Sequence, residues 1–195
     1  FIDEIITNRT LDEWTFLCPK NVQVEEINDK ILNRIQEQSK TFFSSDSVQE
    51  TEYRNVYSPE FLNTIKLGGL PPHRLIIKKN SRVMLLRNLN PSKGLCNGTI
   101  LKIMDFRNNL IIAEILTGSH TGEQVFIPRI PMTSADSGLP FTLLRRQYPI
   151  SPAYAITINK SQGQTLSKVA LYLEEDCFTH GQLYVGSQES NPRIH

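Results

Sequence analysis

Between residues 74 and 130 the chain breaks into five short apolar runs: RLIIKK (74–79), RVMLLR (82–87), TILKIMDF (99–106), NLIIAEIL (109–116) and EQVFIPRI (123–130). The breaks hold Asn80-Ser81, Asn90 through Gly94, Asn97-Gly98, Asn108-Asn109 and Gly118. These residue types accept left-handed backbone or bond their own main chain, so the breaks read as turns. Short strands at near-regular spacing predict a small antiparallel barrel or sandwich.

The flanks have a different texture. WTFLCPK (14–20) predicts a buried strand ending at Pro19. Residues 22–38 predict an amphipathic helix, with Val24, Ile27, Ile31, Leu32 and Ile35 at helical spacing. A short strand at Thr41–Phe43 is followed by a long polar connection to residue 58. Phe61, Leu62 and Ile65 suggest a short helix, stopped by Gly68-Gly69 and Pro71-Pro72. Residues 131–140 read as a loop and 141–150 as a strand. Pro152 suits the first turn of a helix through Ala153–Gln162. Val169–Leu173 predicts a short buried strand and Phe178–Val185 a helix. The expected class is therefore α/β, interrupted by a β-rich insertion.

A chain of 195 residues with 39% hydrophobic and 21% charged side chains suits one core plus a small subdomain. No apolar run approaches the roughly 20 residues of a membrane helix, so no membrane partner is expected. No signal peptide is read. The chain begins with Phe1, so the natural N-terminus is expected upstream. Cys18, Cys96 and Cys177 are scattered and odd in number, which argues against a disulfide framework. His73, His120, His180 and His195 share no zinc-ligand spacing with them.

The net charge of +1 hides an asymmetry. Residues 1–60 carry 12 acidic and 6 basic side chains, whereas residues 61–112 carry 9 basic and 1 acidic. Such a block is either a phosphate-binding surface or a solvated face that happens to be basic.

AITINKSQGQTL (155–166) concentrates polar residues and Gly163 between two apolar runs. Lys160 offers a point charge for phosphate. Ser161, Gln162, Gln164 and Thr165 offer neutral donors, and Gly163 permits close backbone approach. The same run also reads as a polar turn between a helix and a strand.

These segments, in this order, resemble the C-terminal part of superfamily-one DNA helicases of the petite-integration-frequency (Pif-like) type, especially Helitron transposon helicases. LCPKN with VEEIN resembles motif IV, and FLNTIKLGGLPPHRLIIKKNSRVMLLRNLNPSKGLCNGTIL the inserted β-barrel. FIPRIPM, FTLLRRQYP and AITINKSQGQTL resemble the approach to motif V and motif V itself. THGQLYV resembles the start of motif VI. The resemblance implies a second RecA-like domain, a parallel sheet with flanking helices, over 1–58 and 141–195. An antiparallel barrel insertion would occupy 59–140.

By this resemblance Asn159, Lys160 and Ser161 lie near single-stranded DNA, and Gly163, Gln164 and Thr165 toward an ATP cleft. Gln164 and Thr165 could instead cap the next strand. Lys20 and Asn21 either approach the cleft or merely end a strand. Lys78, Lys79, Arg82, Arg87, Lys93 and Lys102 are candidate phosphate contacts, of which alternation lets about half face one way. Arg145-Arg146 either line the DNA path or pair with Glu174-Glu175. Trp14, Phe42 and Phe43 could stack on bases, with core packing favoured for all three. Motif VI should continue with an Arg reaching the ATP γ-phosphate, but Gly186-Ser187-Gln188-Glu189 puts Glu189 there. That carboxylate has the wrong charge for phosphoryl transfer.

The chain shows no G-x-x-x-x-G-K-[ST] loop. ATP and Mg²⁺ are thus expected on a first RecA-like domain joined in cis, with none held by this chain alone. The implied function is an ATP-dependent helicase on single-stranded and forked DNA, in repair, recombination or Helitron transposition, and in the nucleus. The alternative is a degenerate transposon remnant, catalytically dead and at most nucleic-acid-binding.

Overall fold

The computed structural model describes residues 14–53, 56–134, 138–162, 166 and 168–172. The chain divides into two compact units, one from residues 1–36 and 152–195, the other from residues 37–151.

In the first unit, β1 (Trp14–Cys18) is central. It pairs in parallel with β12 (Ala155–Thr157) on one side and β13 (Lys168–Leu171) on the other. Helix α1 (Asn21–Arg34) follows β1. Its buried stripe of Ile27, Ile31 and Leu32 packs with Phe16, Cys18, Tyr154, Ala155 and Ala170. The helix starts where the Gln23 side chain accepts the Lys20 N–H at 3.2 Å, satisfying one orphan donor. It ends at Arg34, short of the predicted Gln38, because Ile35 turns extended (φ −68°, ψ 117°) and the residues beyond offer no apolar stripe.

The predicted helix over Ala153–Gln162 is corrected. Residues 155–157 are strand β12, and only Ile158–Ser161 are helical, as α3. The run AITI is buried beside β1, and a short continuous apolar run fits a buried parallel strand as well as a helix. The predicted helix over Phe178–Val185 lies outside the described residues.

The second unit is built from antiparallel pairs. A five-stranded sheet has the order β11-β5-β6-β7-β8, from Ile150–Pro152, Arg82–Leu85, Ile100–Phe106, Leu110–Ile115 and Gln124–Pro128. A two-stranded ribbon joins β2 (Ser39–Phe43) to β4 (Arg74–Lys78). Together they enclose a core of Phe42, Leu75, Ile77, Val83, Leu85, Leu101, Ile103, Ile111, Ala113, Ile115, Val125, Ile127, Tyr148 and Ile150.

A second sheet of the same unit has the order β3-β10-β9, from Ser45–Val48, Leu143–Gln147 and Ile130–Thr133. It packs Val48, Met132 and Leu143 against Leu62 of α2 (Pro59–Thr64) and against Leu70 and Phe141.

Three differences from the expected insertion follow. Among the described residues the strands form three open sheets or ribbons, not a closed barrel. Residues 131–133, expected in a loop, continue β9, and β3 lies in the expected polar connection. The compact unit spans 37–151, so the expected boundaries at 58 and 141 fall inside it. The reason is pairing: β2 bonds to β4, and β10 bonds to both β3 and β9, which holds 39–48 and 143–147 with the β-rich segment.

Candidate nucleic-acid interface

The first unit places its polar residues at one edge of a parallel sheet. Cys18 and Thr157, the last residues of β1 and β12, are register partners. The chain leaves both strands at the same edge, into Lys20-Asn21 on one side and α3 on the other. In open parallel sheets, ligands bind at this carboxyl edge. Asn21, Asn159 and Lys160 are all exposed there.

Lys160 is exposed as a residue, yet surrounding protein strips hydration from its ammonium and lowers its pKa below the usual 10.5. Among the described residues no carboxylate pairs with it. A partly desolvated cation with no carboxylate partner among the described residues is unfavourable for the fold alone, which makes Lys160 a candidate binding residue. Ser161 is different. It is fully buried, and its hydroxyl donates to the Ile158 carbonyl at 2.7 Å. The expected DNA contact through Ser161 is corrected to a helix-closing role. Gly163, Gln164, Thr165 and Glu189 lie outside the described residues.

Sequence reasoning missed Asn28. Its side chain is buried on the inner face of α1. Its Oδ1 accepts from the N–H groups of Tyr154 at 3.0 Å and Ala155 at 2.9 Å, and its Nδ2 donates to the Ala155 carbonyl at 3.0 Å. The two N–H groups fix which end of the amide is oxygen. Asn28 thereby sets the backbone leading into α3. One signal was available: a polar Asn adjoining Ile27 and one turn before Ile31 and Leu32 on an apolar stripe.

In the second unit the basic block does not present one stripe. Lys78, Lys79 and Arg82 flank the β4–β5 turn, whose Asn80 adopts φ 61°. Arg87 and Lys93 lie beyond the other end of β5. Lys78 and Lys79 are half-buried and Lys93 is exposed. Arg82 is only 6% exposed, because β5 lies inside the five-stranded sheet and is buried along its whole length. It is therefore corrected from phosphate contact to interior residue. Arg87 Nη1 donates to the carbonyls of Gly69 and Leu86, each at 2.8 Å, and so holds a loop. Lys102 is half-buried between Arg82 and Glu114 in register.

Arg145 is interior and does not line a DNA path, and Glu174-Glu175 lie outside the described residues. It is fully buried, and it grips the buried Asp46 carboxylate through Nε at 3.0 and 3.1 Å and Nη2 at 2.6 Å. Its remaining donors reach the carbonyls of Leu62, Ile65 and Pro71 at 3.1–3.2 Å. Phe42 is core, as favoured, and Trp14 packs partly buried against the first unit's core. Phe43 departs from that expectation: it is 56% exposed.

Residues 60–106 match the family model described as DNA helicase Pif1, 2B domain. The chain is 30% identical over 174 residues to the ATP-dependent DNA helicase PIF1 of Xenopus laevis, covering 88% of this chain and 25% of that protein. It is 27% identical to the ATP-dependent DNA helicase Pif1 of Bdellovibrio bacteriovorus, covering 95% of this chain and 39% of the relative. The crystal structure of Pif1 helicase from Candida albicans superposes with a TM-score of 0.71 at 26% identity, covering 90% of this chain and 42% of that one. The chain thus spans a quarter to about two fifths of the length of these relatives. By family-model match over residues 60–106, by sequence and by fold, the chain is Pif1-like, similar to part of these helicases.

Proposed function

We propose that this chain forms part of an ATP-dependent DNA helicase and supplies a section of its single-strand track. The observation that carries this reading is the carboxyl edge of the parallel sheet, where Asn159 and the partly desolvated Lys160, with no carboxylate partner among the described residues, stand exposed. The names of the relatives, ATP-dependent DNA helicases, support the same reading.

In this account the first unit is the second RecA-like domain and the β-rich unit its insertion. Lys160 neutralises a phosphate and Asn159 bonds the backbone or a base edge. Such contacts position the strand without reading sequence. Asn28 keeps the segment carrying them at fixed height on the sheet. ATP, when bound, supplies phosphoryl-transfer chemistry. Asn21 and Gly163–Thr165 would face the nucleotide from this side, with phosphate loop and Mg²⁺ ligands on a partner RecA-like domain in cis. Single-stranded and forked DNA are the substrates, in repair, recombination or Helitron transposition within the nucleus.

Glu189 favours a second reading, in which the protein binds DNA without productive hydrolysis. The test is DNA-stimulated ATPase of this chain within its full-length protein, unaltered and with Gly186–Ser190 replaced by an Ala-x-Ser-Arg-like run. Activity only after replacement supports a dead remnant. Activity beforehand supports the helicase. No DNA binding by either protein overturns both.

A further inference from the structure

The outer face of the β2–β4 ribbon holds an arrangement that the track above leaves unused. In register, Ser39 stands opposite Lys78, Thr41 opposite Ile76, and Phe43 opposite Arg74. Strand alternation puts these six side chains on one face, while Phe42, Leu75 and Ile77 fill the core behind. The Phe43 ring is 56% exposed, against 6% for Phe42.

The backbone beneath that ring is firmly held. Arg129 Nη1 donates to the Phe43 carbonyl at 2.8 Å. Gln147 Nε2 donates to the carbonyls of Phe42 and His73, each at 3.1 Å. The Ser44 N–H donates to the His73 carbonyl at 2.9 Å. The His73 ring lies 5.5 Å from the Phe43 ring, tilted by 48°. The backbone that carries this exposed ring is thus held before any ligand arrives, with His73 beside the ring, which lowers the ordering cost of binding.

The charge around it is positive. Arg74 is exposed directly opposite, Arg129 reaches the Phe43 carbonyl, and Lys78 shares the face. The neighbouring carboxylate, Asp46, is buried and closed by Arg145. Glu37, near the Ser39 end, accepts a hydrogen bond from Asn80 at 3.1 Å. Among the described residues the other exposed aromatics lack this setting. Phe126 faces Ile112, beside a Glu114–Gln124 pair, and Phe61 stacks on Tyr57 at 5.6 Å.

We propose that this ribbon face is a second contact for single-stranded DNA. Phe43 stacks on an unpaired base, and Arg74 and Lys78, about 13 Å apart along β4, hold flanking phosphates. Aromatic rings accept any base and cationic grooves follow the backbone, so the contact is indifferent to sequence and requires an open strand. The inference rests on the nucleic-acid reading above.

The test is fluorescence anisotropy of the 195-residue chain with labelled oligothymidylate and with a blunt duplex. Phe43→Ala should weaken single-strand binding roughly tenfold, the scale of one stacked base. Phe43→Trp should retain it, and duplex binding should not change. Arg74→Ala should lower the salt dependence by about one phosphate. In parallel, an oligonucleotide carrying 5-iododeoxyuridine should crosslink to the unaltered protein in the peptide containing Phe43. Unchanged binding by Phe43→Ala while Lys160→Ala weakens it would overturn this face and leave the track standing. Absence of the Phe43 crosslink, or capture of protein instead of DNA by this face, would also overturn it. No single-strand binding by the unaltered chain would overturn both readings together.

Discussion

Asn28 and Ala155, 127 residues apart in sequence, exchange two hydrogen bonds: the side-chain amide gives one to the Ala155 carbonyl and takes one from its N–H. Among the described residues β12 is an edge strand, with β1 on its other side. The Asn28 amide takes the place of the missing neighbour. Buried main-chain groups left without partners cost about 1–3 kcal/mol each. Asn28→Leu should therefore lower stability by about 2–4 kcal/mol in urea unfolding. Asn28→Asp should also destabilise, because it keeps both accepted bonds but sets a carboxylate against the Ala155 carbonyl. A neutral Asn28→Leu would show that the amide does not set this strand.

Arg145 and Asp46 form a buried ion pair whose charged groups are almost fully removed from water. Removing one member leaves the other charge uncompensated, at about 3–5 kcal/mol. Arg145→Leu and Asp46→Asn should each reach that scale in chemical denaturation. Their combination should cost less than the sum, since the second change removes the orphaned partner. Strict additivity would contradict the pair.

Burial pushes the Cys18 thiol up to about 12 from its ordinary 9.0. The unfolded chain ionises first, so Cys18 contributes stability that is fully present below pH 9 and is lost as pH rises toward 12. The stability gap between the native chain and Cys18→Ala should therefore narrow across pH 9–12. A gap constant across that window would contradict the burial. The thiol should also resist aqueous disulfide reagents until the chain unfolds.

How far the sequence could be read depended on range. β1, α1, α2 and the strands from β4 to β8 follow local periodicity and turn residues, and were legible for that reason. β3 was not, because SDSV carries no alternating apolar pattern and is a strand only through Leu143 and its neighbours. The expected boundaries at 58 and 141 differ from the compact units for the same cause: β2 pairs with β4, 31 to 39 residues on, and β10 with β3, 95 to 101 residues back. At the candidate site, Asn159 and Lys160 stood out by residue type and motif. The burial of Ser161 and Arg82 did not, since a polar side chain gives no sign of which neighbours will cover it. Phe43 was misjudged because FF gives no indication of which ring faces the core. Alternation settles it only once the pairing with β4 is known.

A Lys160 variant can test the proposed binding role apart from stability. Its ammonium loses hydration in the fold and gains no carboxylate among the described residues. Its pKa is lowered relative to the unfolded chain, so the charge opposes folding at neutral pH, and this is relieved as pH rises through its folded value toward 10.5. Lys160→Met should leave thermal stability equal or raised at pH 7. A marked loss of stability would assign the residue to the fold.

The most direct measurement of the central claim is single-strand affinity of the chain and of Lys160→Ala, by anisotropy across a salt series. The account predicts binding that weakens with salt. For Lys160→Ala it predicts a loss of about 1 kcal/mol, near fivefold in Kd, with a shallower salt slope. Identical affinity and slope for the two proteins, both shown to be folded, would contradict it.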